Sequence, residues 1–382
     1  MTGRTPRVLI VAGEASGDLH AARLVNGVRR HHPEVRFYGI GGSEMRKAGV
    51  DILVDSAELA VVGLIEVLAQ RKVIFGTLNR MRELLRSDPP DLLILTDYPD
   101  FNLRLAETAK NAGVKVLYYI SPQVWAWRQR RVHKIRQIVD MMAVVFPFEA
   151  DFYARHDVPV RYVGHPLAGE VHATADRGTL LAQFGLDPAR LTLGLFPGSR
   201  RSEVRRLLPI ILDSAERLKR RFPDLQFLLP LASTLAYDDL QPHLARHPDL
   251  NIVTVTDRTY DVMQACDAII TVSGTVTLEI ALIGTPMVII NKLAWLTYQI
   301  VRHMVKLDHI GLCNIVAGEA LVPELIQHQA RPEKIAGEIG RMLEDEGYRQ
   351  SLHNKLSRVR TLLAQPPEQG DISELALEML QT

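Results

Sequence analysis

The stretch RVLIVAGEASGDLHAARLVNGVRR, residues 7–30, decides the fold class. Its apolar run Val8–Ala12 is continuous rather than alternating, as in a strand covered on both faces. Gly13 and Gly17 flank a small-residue turn, and Leu19, Ala22, Val25 and Val28 then recur at helical spacing. Asp18 is placed to cap that helix. Strand, turn and helix in this order are the opening of a βαβ unit.

The same grammar continues outward. Strand-like runs recur at DLLILTD (Asp91–Asp97), VKVLYYIS (Val114–Ser121), MMAVVFPFE (Met141–Glu149) and RYVGHP (Arg161–Pro166), with helical patterns between them. A second series follows at LTLGLFPGS (Leu191–Ser199), LQFLLPLA (Leu225–Ala232), NIVTVTD (Asn251–Asp257), AIITVSGT (Ala268–Thr275) and PMVIIN (Pro286–Asn291). Alternation of this kind argues parallel, doubly wound sheets. A chain of 382 residues holds two such units. The expected division is 1–175 and 186–345, with the polar stretch AGEVHATADRGT near residues 168–179 between the two series. Residues 346–382 read as helices that cross back to the first domain or exchange with a second subunit. They are interrupted at QPPEQGD, where Asp371 is placed to cap a last helix.

Composition excludes several classes. Net charge is +1, which argues against a nucleic-acid binder. Two cysteines, Cys266 and Cys313, give no disulfide framework or zinc spacing. The N-terminus enters a strand at once, with no signal-peptide pattern. The nearest candidate for a spanning helix, Leu59–Leu78, is broken by Glu66, Gln70, Arg71 and Lys72.

Ligands of doubly wound sheets bind beyond the carboxyl ends of the strands. Asp97 stands at such an end and is placed to act as a general base; Asp100, in the next turn, reads as a helix cap. In LGLFPGSRRSEVRRLLPIIL a strand runs into Gly198, Ser199 and Arg200, then into a helix starting near Ser202 or Glu203. Gly198 admits a ligand close to the backbone, and Arg200 with the helix start suits a diphosphate. Ser273, Gly274 and Thr275 form a second, hydroxyl-lined turn, and Glu279 on the helix after it is placed to hold a sugar hydroxyl pair or to be a helix-end charge. GIGGSEM, Gly39–Met45, reads as another turn. The chain has no Walker A or G-x-G-x-x-G sequence and no Asp-x-Asp pair. SPQVWAWRQRRVHKI adds Trp125 and Trp127 to a basic run containing Arg128, Arg130, Arg131 and Lys134.

Taken in order, VAGEASGD, GIGG.EM, VVGLIEVL, DYPDFN, YYISPQVWAWRQRRVHKI, FPFE, VGHP, FPGSR.SE, SGTVTLE, GTPMV and VPELIQ resemble the lipid-A-disaccharide synthase family over nearly the whole chain. The resemblance implies an α/β GT-B fold, two Rossmann-like doubly wound parallel-sheet domains facing a central cleft. It implies an inverting, metal-independent transferase without cofactor. The donor would be UDP-2,3-diacylglucosamine and the acceptor 2,3-diacylglucosamine 1-phosphate. The products would be the β-1,6-linked lipid A disaccharide 1-phosphate and UDP. Asp97 and Arg200 fall on its catalytic positions. Gly198, Ser199, Arg200, Ser273, Gly274, Thr275, Glu279 and Asn314 fall on its donor side, and Glu14, Ser16, Gly17, Arg128 and Arg131 on its acceptor or cleft side. The implied setting is cytoplasmic, peripheral at the inner face of the inner membrane of Gram-negative bacteria, with no nucleic-acid partner and a homodimer left open. Two positions depart from the pattern: Cys313 replaces an expected proline before Asn314, and Asn291 stands where tyrosine is common. The rival readings are another GT-B enzyme acting on a UDP-N-acetylhexosamine, and a non-catalytic lipid-binding module on the same fold. The missing G-x-G-x-x-G disfavours a nicotinamide dehydrogenase.

Overall fold

The computed structural model describes residues 5–59, 64–127, 129–293, 298–299, 308–364 and 370–381. They form two compact units, 1–166 with 365–382, and 167–364.

In the first unit the strands are β1 (Arg7–Ala12), β2 (Arg36–Gly41), β3 (Asp51–Asp55), β4 (Leu92–Thr96), β5 (Lys115–Tyr119), β6 (Met141–Val144) and β7 (Val160–Tyr162). They form one sheet in the order β3-β2-β1-β4-β5-β6-β7, with every pair parallel. Between them run α1 (Ala15–His31), α2 (Ser43–Lys47), α3 (Leu64–Ser87), α4 (Pro99–Asn111), α5 (Val132–Ile138) and α6 (Pro147–Ala154). Val8–Ala12 and Leu92–Leu95 are wholly buried, which is why these strands carry no polar alternation. Strand order reverses between β1 and β4, so the ends of those two strands flank the sheet's natural binding position.

The second unit repeats the plan. Its strands are β8 (Thr192–Phe196), β9 (Gln226–Leu231), β10 (Val253–Thr256), β11 (Ala268–Val272), β12 (Met287–Asn291) and β13 (Glu324–Ile326), in the order β10-β9-β8-β11-β12-β13, again all parallel. Its helices include α7 (Arg177–Gln183), α8 (Arg201–Arg221), α9 (Tyr237–Leu244), α10 (Thr259–Ala265), α11 (Val276–Ile283), α12 (Leu312–Ala317), α13 (Pro332–Glu344) and α14 (Glu346–Leu363). Here the order reverses between β8 and β11. The segment before α7 is fastened to this unit by Thr174, whose N–H donates to Asp261 at 2.7 Å.

The last helix, α15 (Ile372–Gln381), returns to the first unit. Leu375 and Ala376 are buried there, Lys115 Nζ donates to Met379 O at 3.1 Å, and Arg161 pairs with Glu378 at 2.8 Å. Asp371 caps this helix by accepting from the N–H groups of Ser373 (2.7 Å) and Glu374 (3.0 Å).

Three local expectations change. GIGGSEM is the end of β2 followed by α2, not a turn alone. Asp18 lies inside α1 and does not cap it. Its buried carboxylate instead accepts from the N–H groups of Gly42 (2.6 Å), Glu44 (2.9 Å) and Met45 (3.2 Å), capping α2 from another element. MMAVVFPFE is strand only to Val144, because Pro147 fixes the first position of α6.

Candidate functional site

At the reversal point of the first sheet, β4 ends in two consecutive non-glycine residues with left-handed backbone, Asp97 (φ 51°) and Tyr98 (φ 43°). Such conformations cost about 1–3 kcal/mol each and persist where the surroundings enforce them. The surroundings are specific: Asp97 O accepts from Tyr118 Oη at 2.7 Å and from Asn102 Nδ2 at 2.6 Å. Across the reversal, the turn after β1 is glycine for a steric reason. A Cβ on Gly13 would lie 2.5 Å from the Tyr98 ring.

The Asp97 carboxyl is half-buried, and its pKa is raised, first by burial and then by the Glu14 charge. Glu14 and Ser16 are exposed, and Gly17 is buried in the first turn of α1. Asp100 does not cap α4. It lies exposed in the first turn and accepts from Arg131 Nη2 at 2.7 Å.

The tryptophan-rich segment divides. Trp125 is buried, with Nε1 donating to Glu149 at 3.0 Å, whereas Trp127 is 39% exposed. The basic run behind it is largely met by acids: Arg131 by Asp100, Lys134 by Glu107 at 2.7 Å, and Arg136 by Asp157 at 3.2 Å. Arg131, expected on the acceptor or cleft side, is paired with Asp100. Arg128 lies outside the described residues, as do residues 60–63 of the apolar stretch before α3. His165 packs its ring against Phe146 at 4.8 Å, and burial lowers its pKa to about 4, so it is neutral.

In the second unit a cavity of about 370 Å³ opens at the ends of β8 and β11. Gly198, Ser199, Arg200 and Glu203 line one side, and Ser273, Gly274, Thr275 and Glu279 another. Gly198 has φ 102°, and a Cβ there would meet the Glu203 carboxylate at 2.4 Å. The side chain of Arg200 is 80% exposed, with Glu203 3.5 Å away. The turn amides have an internal partner: the N–H groups of Ser199 and Arg200 both donate to Glu203 Oε2 at 3.3 Å. Helix α8 thus starts one residue earlier than expected, at Arg201, with Glu203 reaching back over it.

Across the cavity, burial raises the pKa of Glu279, which accepts from Tyr260 Oη at 3.4 Å. Asn291, one of the two departures from the family pattern, donates to Ser273 Oγ at 2.5 Å. Asn314 is elsewhere. Wholly buried, it donates to Val322 O (3.0 Å) and Glu324 (2.8 Å) and accepts from the N–H groups of Leu321 (2.9 Å) and Val322 (3.1 Å). Its amide braces a loop, and Asn314 does not line the cavity that gathers the other donor-side residues.

Sequence reasoning missed Tyr118, Asn102, Glu203 and Glu149, whose partners lie on other elements or in the backbone. The signal available for all four was membership in the YYISPQVWAWRQRRVHKI, DYPDFN, FPGSR.SE and FPFE stretches.

Residues 8–376 match the lipid-A-disaccharide synthetase family. The chain is 56% identical to the lipid-A-disaccharide synthase of Geobacter metallireducens over 379 residues, which cover 99% of this chain and 98% of the relative. To that of Coxiella burnetii strain RSA 331 it is 43% identical over 356 residues, 93% of this chain and 94% of the relative. Among solved structures, UDP-GlcNAc 2-epimerase from Neisseria meningitidis bound to UDP-GlcNAc aligns with a TM-score of 0.65 at 12% identity, covering 98% of this chain and 99% of that one. The glycotransferase of kitacinnamycin aligns with a TM-score of 0.63 at 14% identity, again covering 98% and 99%. The two structural likenesses show the GT-B fold; the sequence relatives and the family match, spanning nearly every residue, establish that the chain belongs to the lipid-A-disaccharide synthetase family.

Proposed function

We propose that the chain joins UDP-2,3-diacylglucosamine to 2,3-diacylglucosamine 1-phosphate, releasing UDP and the β-1,6-linked disaccharide 1-phosphate. Its family makes it a glycosyltransferase of lipid A biosynthesis. The observation that carries the residue assignment is the second-unit cavity, which gathers the P-G-S-R turn, the S-G-T turn and Glu279 into a volume suited to a nucleotide.

In this reading the acceptor hydroxyl attacks the anomeric carbon of the donor from the face opposite the diphosphate. Its oxygen forms the new C–O bond while its proton passes to an Asp97 carboxylate oxygen. The bond from the anomeric carbon to the β-phosphate oxygen breaks, and its electron pair leaves with UDP. Attack and departure on opposite faces give inversion. A carboxylate with a raised pKa is a stronger base, so the burial of Asp97 serves this step. Arg200 carries the positive charge that meets the leaving diphosphate. The turn amides join it once the diphosphate takes the place of the Glu203 carboxylate. Glu279 accepts from the ribose hydroxyls, and the Ser273–Thr275 turn lies against the nucleotide.

Both substrates carry acyl chains, so the chain works at a membrane surface, peripherally on the cytoplasmic side. No helix among the described residues is long and apolar enough to cross a membrane. Val73 and Phe75 on α3, 43% and 47% exposed, support surface contact.

The test supplies both diacyl sugars to the purified protein with EDTA present and follows the product by mass spectrometry. A tetraacyl disaccharide phosphate with equimolar UDP is expected. A folded protein that makes neither would move the assignment to another UDP-sugar substrate.

A further inference from the structure

Glu149 has no role in that mechanism, yet the structure surrounds it with donors. It is 2% exposed. Its Oε1 accepts from Ser121 Oγ at 2.6 Å and from Trp125 Nε1 at 3.0 Å, and its Oε2 lies 3.3 Å from Phe146 N. None of these partners is a cation. Trp125 and the Phe146 amide can only donate, so the arrangement fits an ionised carboxylate. Burying a carboxylate without a counter-ion is unfavourable, and it persists where the hydrogen bonds offset the lost hydration.

A second, independent observation concerns the segment Glu149 holds. Ile120, immediately before Ser121, has φ 61°. A β-branched residue in the left-handed region is an outlier, and strain of this kind collects at functional sites. Its N–H is fixed by Ala143 O at 3.1 Å, and Pro122 O accepts from Tyr153 Oη at 3.2 Å. The chain therefore turns sharply off β5, is fastened at Ser121, Pro122 and Trp125, and leaves Trp127 at the surface.

We propose that Glu149 is a positioning residue of the transfer: through Ser121 and Trp125 it holds the Ile120–Trp127 segment, with its strained entry at Ile120, in the conformation that meets the acceptor sugar. This rests on the functional reading above. Burial pushes the Glu149 carboxyl up to about 7, so the hold weakens as the group protonates near neutrality. Among the described residues, Tyr153 interacts with its charge, and His165 packs against Phe146, whose N–H faces it. Tyr153 on α6 stays protonated because burial raises its pKa, and His165, against the Phe146 ring, is neutral. Neither changes charge near pH 7.

The experiment uses the full chain and the disaccharide assay, with Glu149→Gln and Trp125→Phe beside the unmodified protein. Glu149→Gln is expected to lose roughly 10- to 100-fold in kcat/KM for the acceptor. UDP affinity, measured by calorimetry, should stay unchanged. Trp125→Phe should move the same parameter in the same direction. The Trp125 fluorescence of the unmodified protein, taken as the difference from Trp125→Phe, should titrate near pH 7, as should the acid limb of kcat/KM. If Glu149→Gln fails to fold, Trp125→Phe and the titration of the unmodified protein decide. Unchanged acceptor kinetics in the folded variants, or a flat fluorescence titration, overturns the proposal while leaving the functional reading intact. An unmodified protein that makes no disaccharide overturns the reading and the proposal with it.

Discussion

Asp97 and Tyr98 show how a single strand end is forced into an unfavourable shape and kept there. Removing a clamp should release it. Asn102→Ala withdraws one donor from Asp97 O. It is expected to lower stability by about 1–2 kcal/mol and kcat by roughly tenfold, measured by thermal unfolding and steady-state kinetics. The pH profile tests the same residue. Because its pKa is raised, Asp97 remains protonated, and useless as a base, to a higher pH than an ordinary aspartate at 3.8. In the Glu149→Gln background, kcat/KM should therefore fall with decreasing pH along a limb centred above 3.8. At this scale the sequence exposed Asp97, Gly198 and Arg200, because each follows directly on a readable strand. It hid Glu149 and Tyr118, whose side-chain partners (Ser121 and Trp125) and backbone partner (Asp97) lie 24 to 28 and 21 residues away respectively. Spacing along the chain says nothing of such pairs.

Helix α8 carries the largest correction among the elements. The P-G-S-R turn reads as an open anion seat, yet Glu203 already reaches back to its amides. In the proposed reading an incoming diphosphate has to exchange with that carboxylate and meets its charge. Glu203→Gln keeps an acceptor for the turn and removes the charge. UDP should then bind about two- to fivefold more tightly, by calorimetry. Weaker binding would mean that the carboxylate organises the turn rather than competing for it. Strands with continuous apolar runs were legible, β1, β4 and β8 above all. β2 and β3 were not: β2 is interrupted by Gly39 and Gly41, and β3 has only Val54 buried and aspartates at its ends. β13 has three residues, too few for any period to appear.

The molecule as a whole repeats one plan in two units, and its alternating pattern was plain in the sequence. The destination of the last helix was narrowed only to the first domain or a second subunit, because α15 packs against α1, some 349 residues earlier by the Ser373–Leu24 contact. Leu375 is 1% exposed in that packing. Leu375→Ala should cost about 2–4 kcal/mol in denaturant unfolding while leaving UDP affinity unchanged. The family-level chemistry was legible because short motifs stand in order at strand ends. The most direct test of the account is the Asp97→Asn variant, assayed for disaccharide formation and, separately, for UDP binding. The account predicts turnover reduced by roughly a hundredfold or more with UDP affinity intact. Normal turnover in that variant would contradict it.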